Sequence, residues 1–312
     1  EKSRVAAATP GEPPRALAVS EGGVPGGLFP GIQDVPIHVR GSYARLGETV
    51  PRRMPSFFAG ADAQRVGSGS GRRELAGFLV DPANPLLDRV IVNRVWQYHF
   101  GRGIVATPND YGRMGVRPTH PELLDFLANE YVANGWKMKP LHRMMMLSSA
   151  YRQASKSPTE AATREKDPDK KLLRKWNRRR LAAEEIRDTM LTVSGRLNTK
   201  AGGPSVLISI DEELIKDLKR PQYWVVTRDR KEHDRRTIYL IYKRNLILPF
   251  NQVFDSPDTL LSCARRDQST HAPQALELMN GKLSNDLAKS LAARLKAEKK
   301  TPQDRVDYAF RL

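Results

Sequence analysis

The sequence predicts a mainly α fold, a helical body with a small β-sheet element. Two observations carry that expectation. Apolar residues recur three and four apart through most of residues 72–154 and again from Pro273 onward, the period of a helix with one buried face. Alternation with a period of two, which marks a half-buried strand, occurs clearly only at Val35–Arg40 and Arg235–Arg244.

The elements follow in chain order. Residues 1–35 are rich in Pro, Gly, Ala and Glu and keep neither period, so they read as an extended or partly disordered lead-in. Val35–Arg40 (VPIHVR) reads as an edge strand. The two aromatics of Pro55–Phe58 are expected to tuck that segment onto the main body. Gly60–Gly71 reads as a flexible loop. Residues 1–70 thus form a lead-in with an edge strand, and 71–155 a helical core module.

Within that module Leu75, Phe78 and Leu79 share one helical face. The Asp81–Pro85 run breaks the helix, and Pro85 suits the first turn of the next, which continues to Phe100. Gly101 is a natural left-handed terminator. Thr119 and Glu122 fit a capping box ahead of a helix that Gly135 closes. Another helix is expected over 140–154.

Residues 156–176 are polar and charged and read as a linker or exposed loop. The remaining 177–312 form a C-terminal α+β part packed on the core. It holds a helix over 181–197, a candidate strand at Val206–Ile210, a short helix over 211–219 and a strand at Arg235–Arg244. Two helical segments follow, near 273–296 and 302–311.

Composition narrows the function classes. The 312 residues carry a net charge of +17, which admits nucleic acid, anionic membrane surfaces and acidic polymers as partners. The basic residues are spread along the chain, so a scattered surface outweighs a nucleic-acid interface. The lone Cys263 can form neither an internal disulfide nor a thiolate metal cluster. No apolar run reaches the length of about 18 residues that a membrane helix needs. No signal peptide is visible, and a chain that begins with Glu1 reads as a piece of something longer.

The least ordinary stretch is Asn84–Gly115, an amphipathic helix running into a glycine-punctuated loop. Arg89, Asn93, Trp96 and Gln97 lie three and four apart and share a flank. They could line a polar pocket, or brace the loop beside it. Gly101, Gly103, Gly112 and Gly115 allow close backbone approach or positive φ. Arg102 and Asp110 are its charged members. Asp110 could orient Arg89 or Arg102, or act as a base. The text matches neither a P-loop nor a dinucleotide fingerprint.

Glu184 and Asp188 sit one turn apart and could form an acid–base pair, or an ion-pair network with Arg179, Arg180 and Arg187. His99, His120 and His142 come from neighbouring elements, but their spacing matches no metal motif, so no metal is assigned. Ser269 or Thr270 reads as a helix cap rather than a nucleophile.

These segments together resemble a large planctomycete domain of unknown function. The resemblance rests on NPLLDRVIVNRVWQYHFGRGIVATPNDYG (84–112), HPELLDFLANEYVANGWKMKPLHRMMMLSSAYRQ (120–153) and RRLAAEEIRD (179–188) with SGRL (194–197). RRTIY (235–239), FDSPD (254–258) and RRDQSTHAPQALELMN (265–280) follow in order, and HVRGSYARLGETV (38–50) resembles the lead-in. It covers about residues 35–295.

The resemblance implies an exported, extracytoplasmic multidomain protein, in which this module follows upstream domains of the same polypeptide that often include a cytochrome-c-like one. This chain has no Cys-x-x-Cys-His, so no cofactor is expected within it, and any haem lies upstream.

The preferred expectation is a binding module that takes a substrate, acidic polymer or polysaccharide in a pocket lined by Arg89, Asn93, Trp96, Gln97, Arg102 and Asp110. The alternatives are a hydrolase or redox-associated enzyme using Asp110, Glu184 or Asp188 as acid–base groups, and a nucleic-acid-binding protein.

Overall fold

The computed structural model describes residues 18, 21–60, 63, 65–156, 165–216, 221–244 and 246–312. Parts of four expected segments lie outside the described residues: most of the lead-in, part of the 60–71 loop, residues 157–164 of the 156–176 linker and residues 217–219 of the expected 211–219 helix. The fold is mainly helical with a two-stranded sheet. Two compact units are present, residues 1–92 with 125–138, and residues 93–124 with 139–312.

The first unit holds the sheet. Strands β1 (Val35–His38) and β2 (Leu46–Val50) pair antiparallel, Val35 opposite Val50 and His38 opposite Leu46, with an irregularity between Pro36 and His38. The expected edge strand is therefore present and has one partner. The Asp34 carboxylate closes the hairpin base, accepting both the Arg52 amide (3.0 Å) and its Nε (2.9 Å).

Helix α1 (Ser56–Ala59) follows. Phe58 packs on Phe78 of the following helix, while Phe57 meets only the edge of Phe58 among the described aromatic rings and is 89% exposed. The expected tuck is thus half made. Helix α2 (Arg72–Leu79) buries none of its residues fully. The C-terminal turn beyond Ala133 closes as the glycine implied. Gly135 is left-handed at φ 65°, and the Trp136 amide returns to the Tyr131 carbonyl at 3.0 Å.

Helices α3 (Leu87–Phe100) and α4 (Pro121–Ala133) each run from one unit into the other. Thr119 does not cap α4 as a capping box would have it: its hydroxyl donates to the Ile104 carbonyl at 3.4 Å and so ties the loop ahead of the helix.

The second unit contains most of the core. Trp96 and Phe100 of α3 stack at 3.9 Å, Tyr151 packs edge-on against Phe100, and Trp176 lies tilted against it. Helix α5 (Met138–Leu147) stops earlier than expected. Ser148 donates its hydroxyl to the Met145 carbonyl and turns the chain.

Helix α6 (Ala183–Val193) packs on helices α8 (Pro249–Val253) and α10 (Lys282–Glu298) and on a 3₁₀ turn at Thr237–Tyr239. Ala183, Phe250 and Phe254 form one apolar cluster there. Val206, Trp224, Leu240 and Leu248 form another, near the short helix α7 (Glu212–Lys216). The tail is three helices rather than two, α9 (Ala272–Asn280), α10 and α11 (Pro302–Arg311). Gly281 breaks the first pair with an extended backbone, and a Cβ there would meet the Glu277 carbonyl oxygen at 2.4 Å.

Arg235–Arg244 is not a strand. Isolated bridges join Arg235 to Asn198 and Leu240 to Val206, with the 3₁₀ turn between them. The expected strand at Val206–Ile210 is likewise reduced to that one bridge. The reason lies in α6. The buried Arg187 donates to the carbonyls of His233 (2.6 Å) and Arg235 (3.0 Å), and Asp188 accepts the Thr237 amide (2.7 Å) and hydroxyl (2.6 Å). Side chains satisfy the backbone groups that a neighbouring strand would otherwise need to pair. Ile238, which alternation placed on the side of Leu240, is 75% exposed while Leu240 is buried.

Candidate functional site

Helix α3 carries the residues that the sequence singled out. Arg89 is held by Asp125, which accepts its Nε at 2.7 Å, and it donates to the Pro85 carbonyl at 2.6 Å. Asn93 is 0% exposed and grips one residue of the loop from both sides. Its amide donates to the Val105 carbonyl (3.0 Å) and its oxygen accepts the Val105 amide (2.8 Å). Gly103 lies so close that a Cβ would sit 2.7 Å from the Asn93 Nδ2.

Trp96 is buried in its stack on Phe100. Arg102 is half-buried. Asp110 accepts the Gly112 amide at 2.9 Å, and its own amide returns to the Thr107 carbonyl, so it shapes the loop from within. Gln97 lines a cleft, and it also donates to the Ala264 carbonyl at 3.3 Å.

The three histidines do not converge. The His99 Nε2 lies 2.7 Å from the His142 Nδ1, and His120 bonds the Thr119 hydroxyl. Among the described residues no group of three metal-ligating side chains is placed to hold an ion.

The cleft that Gln97 faces has a volume of about 910 Å³. Glu184, Glu185 and Asp188 of helix α6 line it, together with Tyr98 of α3 and Gly101 just after that helix. Gly101 is left-handed at φ 80°, as its place after the helix requires.

Arginines hold the carboxylates. Arg266 grips Glu184 through two bonds of 2.6 and 3.0 Å, and the Tyr242 hydroxyl adds a third at 3.0 Å. Arg179 grips Glu185 through two bonds of 2.8 Å, and Glu185 also accepts the Ala182 amide at the start of α6. Arg236 reaches Asp188 at 3.3 Å.

The electrostatics follow. Burial acts to raise the Glu184 carboxyl, but the Arg266 fork and the Tyr242 hydroxyl outweigh it, and the net shift is downward. The Arg179 fork lowers Glu185 against a smaller opposing effect of burial. Both groups are therefore held as carboxylates.

A second recess of about 710 Å³ adjoins the first. The two share Asp255, Arg265, Arg266 and Asp267 on their walls, and these two adjacent recesses together are called the trough. The shared wall is residues 255–269, a stretch without helix or strand.

Its two ends are clasped. Asp255 accepts the Ser269 hydroxyl at 2.6 Å and the Ser269 amide at 2.9 Å. Arg180 donates to both Asp255 and the Ser269 carbonyl, and Gln274 of α9 reaches Asp255 at 3.4 Å. Asp255 adopts a left-handed backbone, φ 59°, to bring these groups together.

A family model described as PSD1, protein of unknown function (DUF1553), matches residues 71–312. The chain belongs to this family. The match starts after the β-hairpin and runs beyond the 35–295 span of the sequence resemblance, and the whole trough lies inside the PSD1 segment. No curated protein and no solved structure matches the chain.

The trough collects five of the segments that carry the sequence resemblance: 84–112, 179–188, 235–239, 254–258 and 265–280. Residue-by-residue reading found Gln97, Glu184 and Asp188 there. It missed Tyr98, Tyr242, Asp255 and Arg265. The available signal was chemical density, since FDSPD and RRDQST are charged and aperiodic yet flank helices.

Proposed function

We propose that this chain is a binding module that takes an acidic polymer or polysaccharide along the trough. The observation that supports it most is the shared wall: two adjacent recesses that share Arg265, Arg266 and Asp267 offer length, which suits a chain-like ligand better than a compact one. In this reading Gln97, Tyr98, Arg265 and Arg266 contact the ligand. Asn93 and Asp110 hold the glycine loop that follows α3, the helix that carries the first two, while Arg89 is engaged with Asp125 and the Pro85 carbonyl. Glu184 and Asp188 anchor arginines. The exported setting and the upstream domains implied by the resemblance belong to the same proposal.

The carboxylates of the trough that arginines hold suit binding better than a general-acid role. A general acid near neutral pH needs a raised carboxyl pKa. Glu184 and Glu185 are lowered instead, as is Asp255, where burial acts upward and the Ser269 hydroxyl and amide prevail.

A steric block tests the reading. Ile238 and Leu261 are exposed, and each lines one of the two recesses. Replacing both by Trp fills the trough without touching the core. The double variant is expected to lose retention on immobilised polysaccharides, neutral and acidic, while its thermal midpoint stays unchanged. Unchanged retention would overturn the proposal.

A further inference from the structure

Resting on the reading of the trough as a polymer site, we infer that its ligand is a neutral polysaccharide rather than an acidic one. The chain as a whole is strongly basic, but the trough is not. Its walls carry five arginines and six carboxylates, a balance of one negative charge, and no lysine. Four of the arginines are ion-paired at 3.3 Å or less, to Glu184, Glu185, Asp188 and Asp255.

Among the described residues Arg265 makes no ion pair, and neither do Asp258 and Asp267. An acidic polymer would thus meet one guanidinium and two carboxylates that are not ion-paired. Tight binding of polyanions depends on uncompensated cations along the track, and the trough lacks them.

What the trough offers is matched to hydroxyl groups. Arg265, Asp267 and Gln268 are exposed planar groups on its walls, with Gln252 exposed on the wall of the second recess. A guanidinium presents paired donors, a carboxylate paired acceptors and an amide one of each, so every such fork can engage two adjacent hydroxyls of a sugar ring.

Tyr98 supplies the apolar complement. It is 75% exposed at the cleft edge, and an aromatic face attracts the C–H groups on a sugar's flat side. The wall behind is fixed by the clasp at Asp255 and by the Arg266–Glu184 fork, so little ordering is left to be done on binding.

Fluorescence anisotropy with labelled oligosaccharides tests this. The neutral probes are fragments of xylan, mannan and β-glucan. The acidic probes are oligogalacturonate and a heparin fragment, with single-stranded DNA as a polyanion of another class. At least one neutral probe is expected to bind, with a Kd that changes less than about threefold between ~0.05 and ~0.5 M NaCl, because no counterions are released. Tyr98→Ala should weaken it about tenfold or more, roughly 1.4 kcal/mol, and Tyr98→Phe should restore it.

If oligogalacturonate, heparin or DNA binds through the trough and the neutral probes do not, with Arg265→Ala abolishing the complex, the neutral class is wrong while the trough remains the site. If no probe binds, or if binding ignores both Tyr98→Ala and the Ile238→Trp/Leu261→Trp block, the neutral class and the binding reading fall together.

Discussion

Asn93 sets the shape of the glycine loop through two hydrogen bonds to one residue, Val105. Asn can donate and accept at once, whereas Asp cannot donate when ionised. Asn93→Ala should therefore cost about 3 kcal/mol by leaving two backbone groups unsatisfied in the interior. Asn93→Asp should cost at least as much, with a penalty that grows from pH 5 to pH 8 as the buried carboxylate faces a carbonyl. Urea denaturation of the three proteins across that range checks both claims. Gly103→Ala should also destabilise, by about 2 kcal/mol or more, because its Cβ would press on the Val105 carbonyl oxygen at 2.5 Å as well as on Asn93. The spacing of Asn93 and Arg89 along α3 was plain in the sequence. Which way they point was not, because a polar residue that braces and one that binds leave the same pattern in the text. Burial distinguishes them, and burial depends on the loop that folds over the helix.

At the scale of elements, α6 has the largest organising role. Through Arg187 and Asp188 it captures the backbone of the 233–237 segment and converts an alternating stretch into turns and bridges. Truncating Arg187 to Ala should free that segment. Trypsin should then cleave between residues 228 and 236 at a rate at least about tenfold above that of the parent chain. Arg187→Lys should fall between the two, since a single ammonium cannot reach both carbonyls as the fork does. The helices were legible because period and punctuation are local properties of the chain. The Arg235–Arg244 stretch was misread because its partner is a pair of side chains from α6, about fifty positions away, and alternation cannot show that.

For the whole molecule, charge separates general attraction from a specific site. The net +17 should hold the protein on a heparin column at low salt and release it as salt screens the surface, equally for the parent chain and for the Ile238→Trp/Leu261→Trp variant. A difference between them would place the basic surface in the trough. Acid should unfold the protein through the same network. Glu184 and Glu185 have folded values below their ordinary 4.5, so their contribution is complete above about that pH and is lost as pH falls through the folded values. The urea midpoint should be level from about pH 8 to 6 and drop below about pH 4.5. Glu184→Gln should lower the plateau by about 1 kcal/mol, a figure kept small because the pair is partly exposed, and should shallow the acid limb. The +17 was visible at once in the composition, but the near-neutral trough within it was not, because the arginines and carboxylates that cancel there come from segments far apart in the chain.

The clasp between Asp255 and Ser269 also bears on how new specificities could arise. Residues 256–268 form a span whose ends are fixed by side chains while its middle carries no helix or strand and little of the core. Such a span can be exchanged as a cassette. Grafting the corresponding residues of another family member between an intact Asp255 and Ser269 should change which polymer is recognised and leave the melting temperature within a few degrees of the parent. The same graft in an Asp255→Ala background should lose both recognition and thermal stability. Diversity in the recognised ligand and constancy in the scaffold would then be separable at two residues.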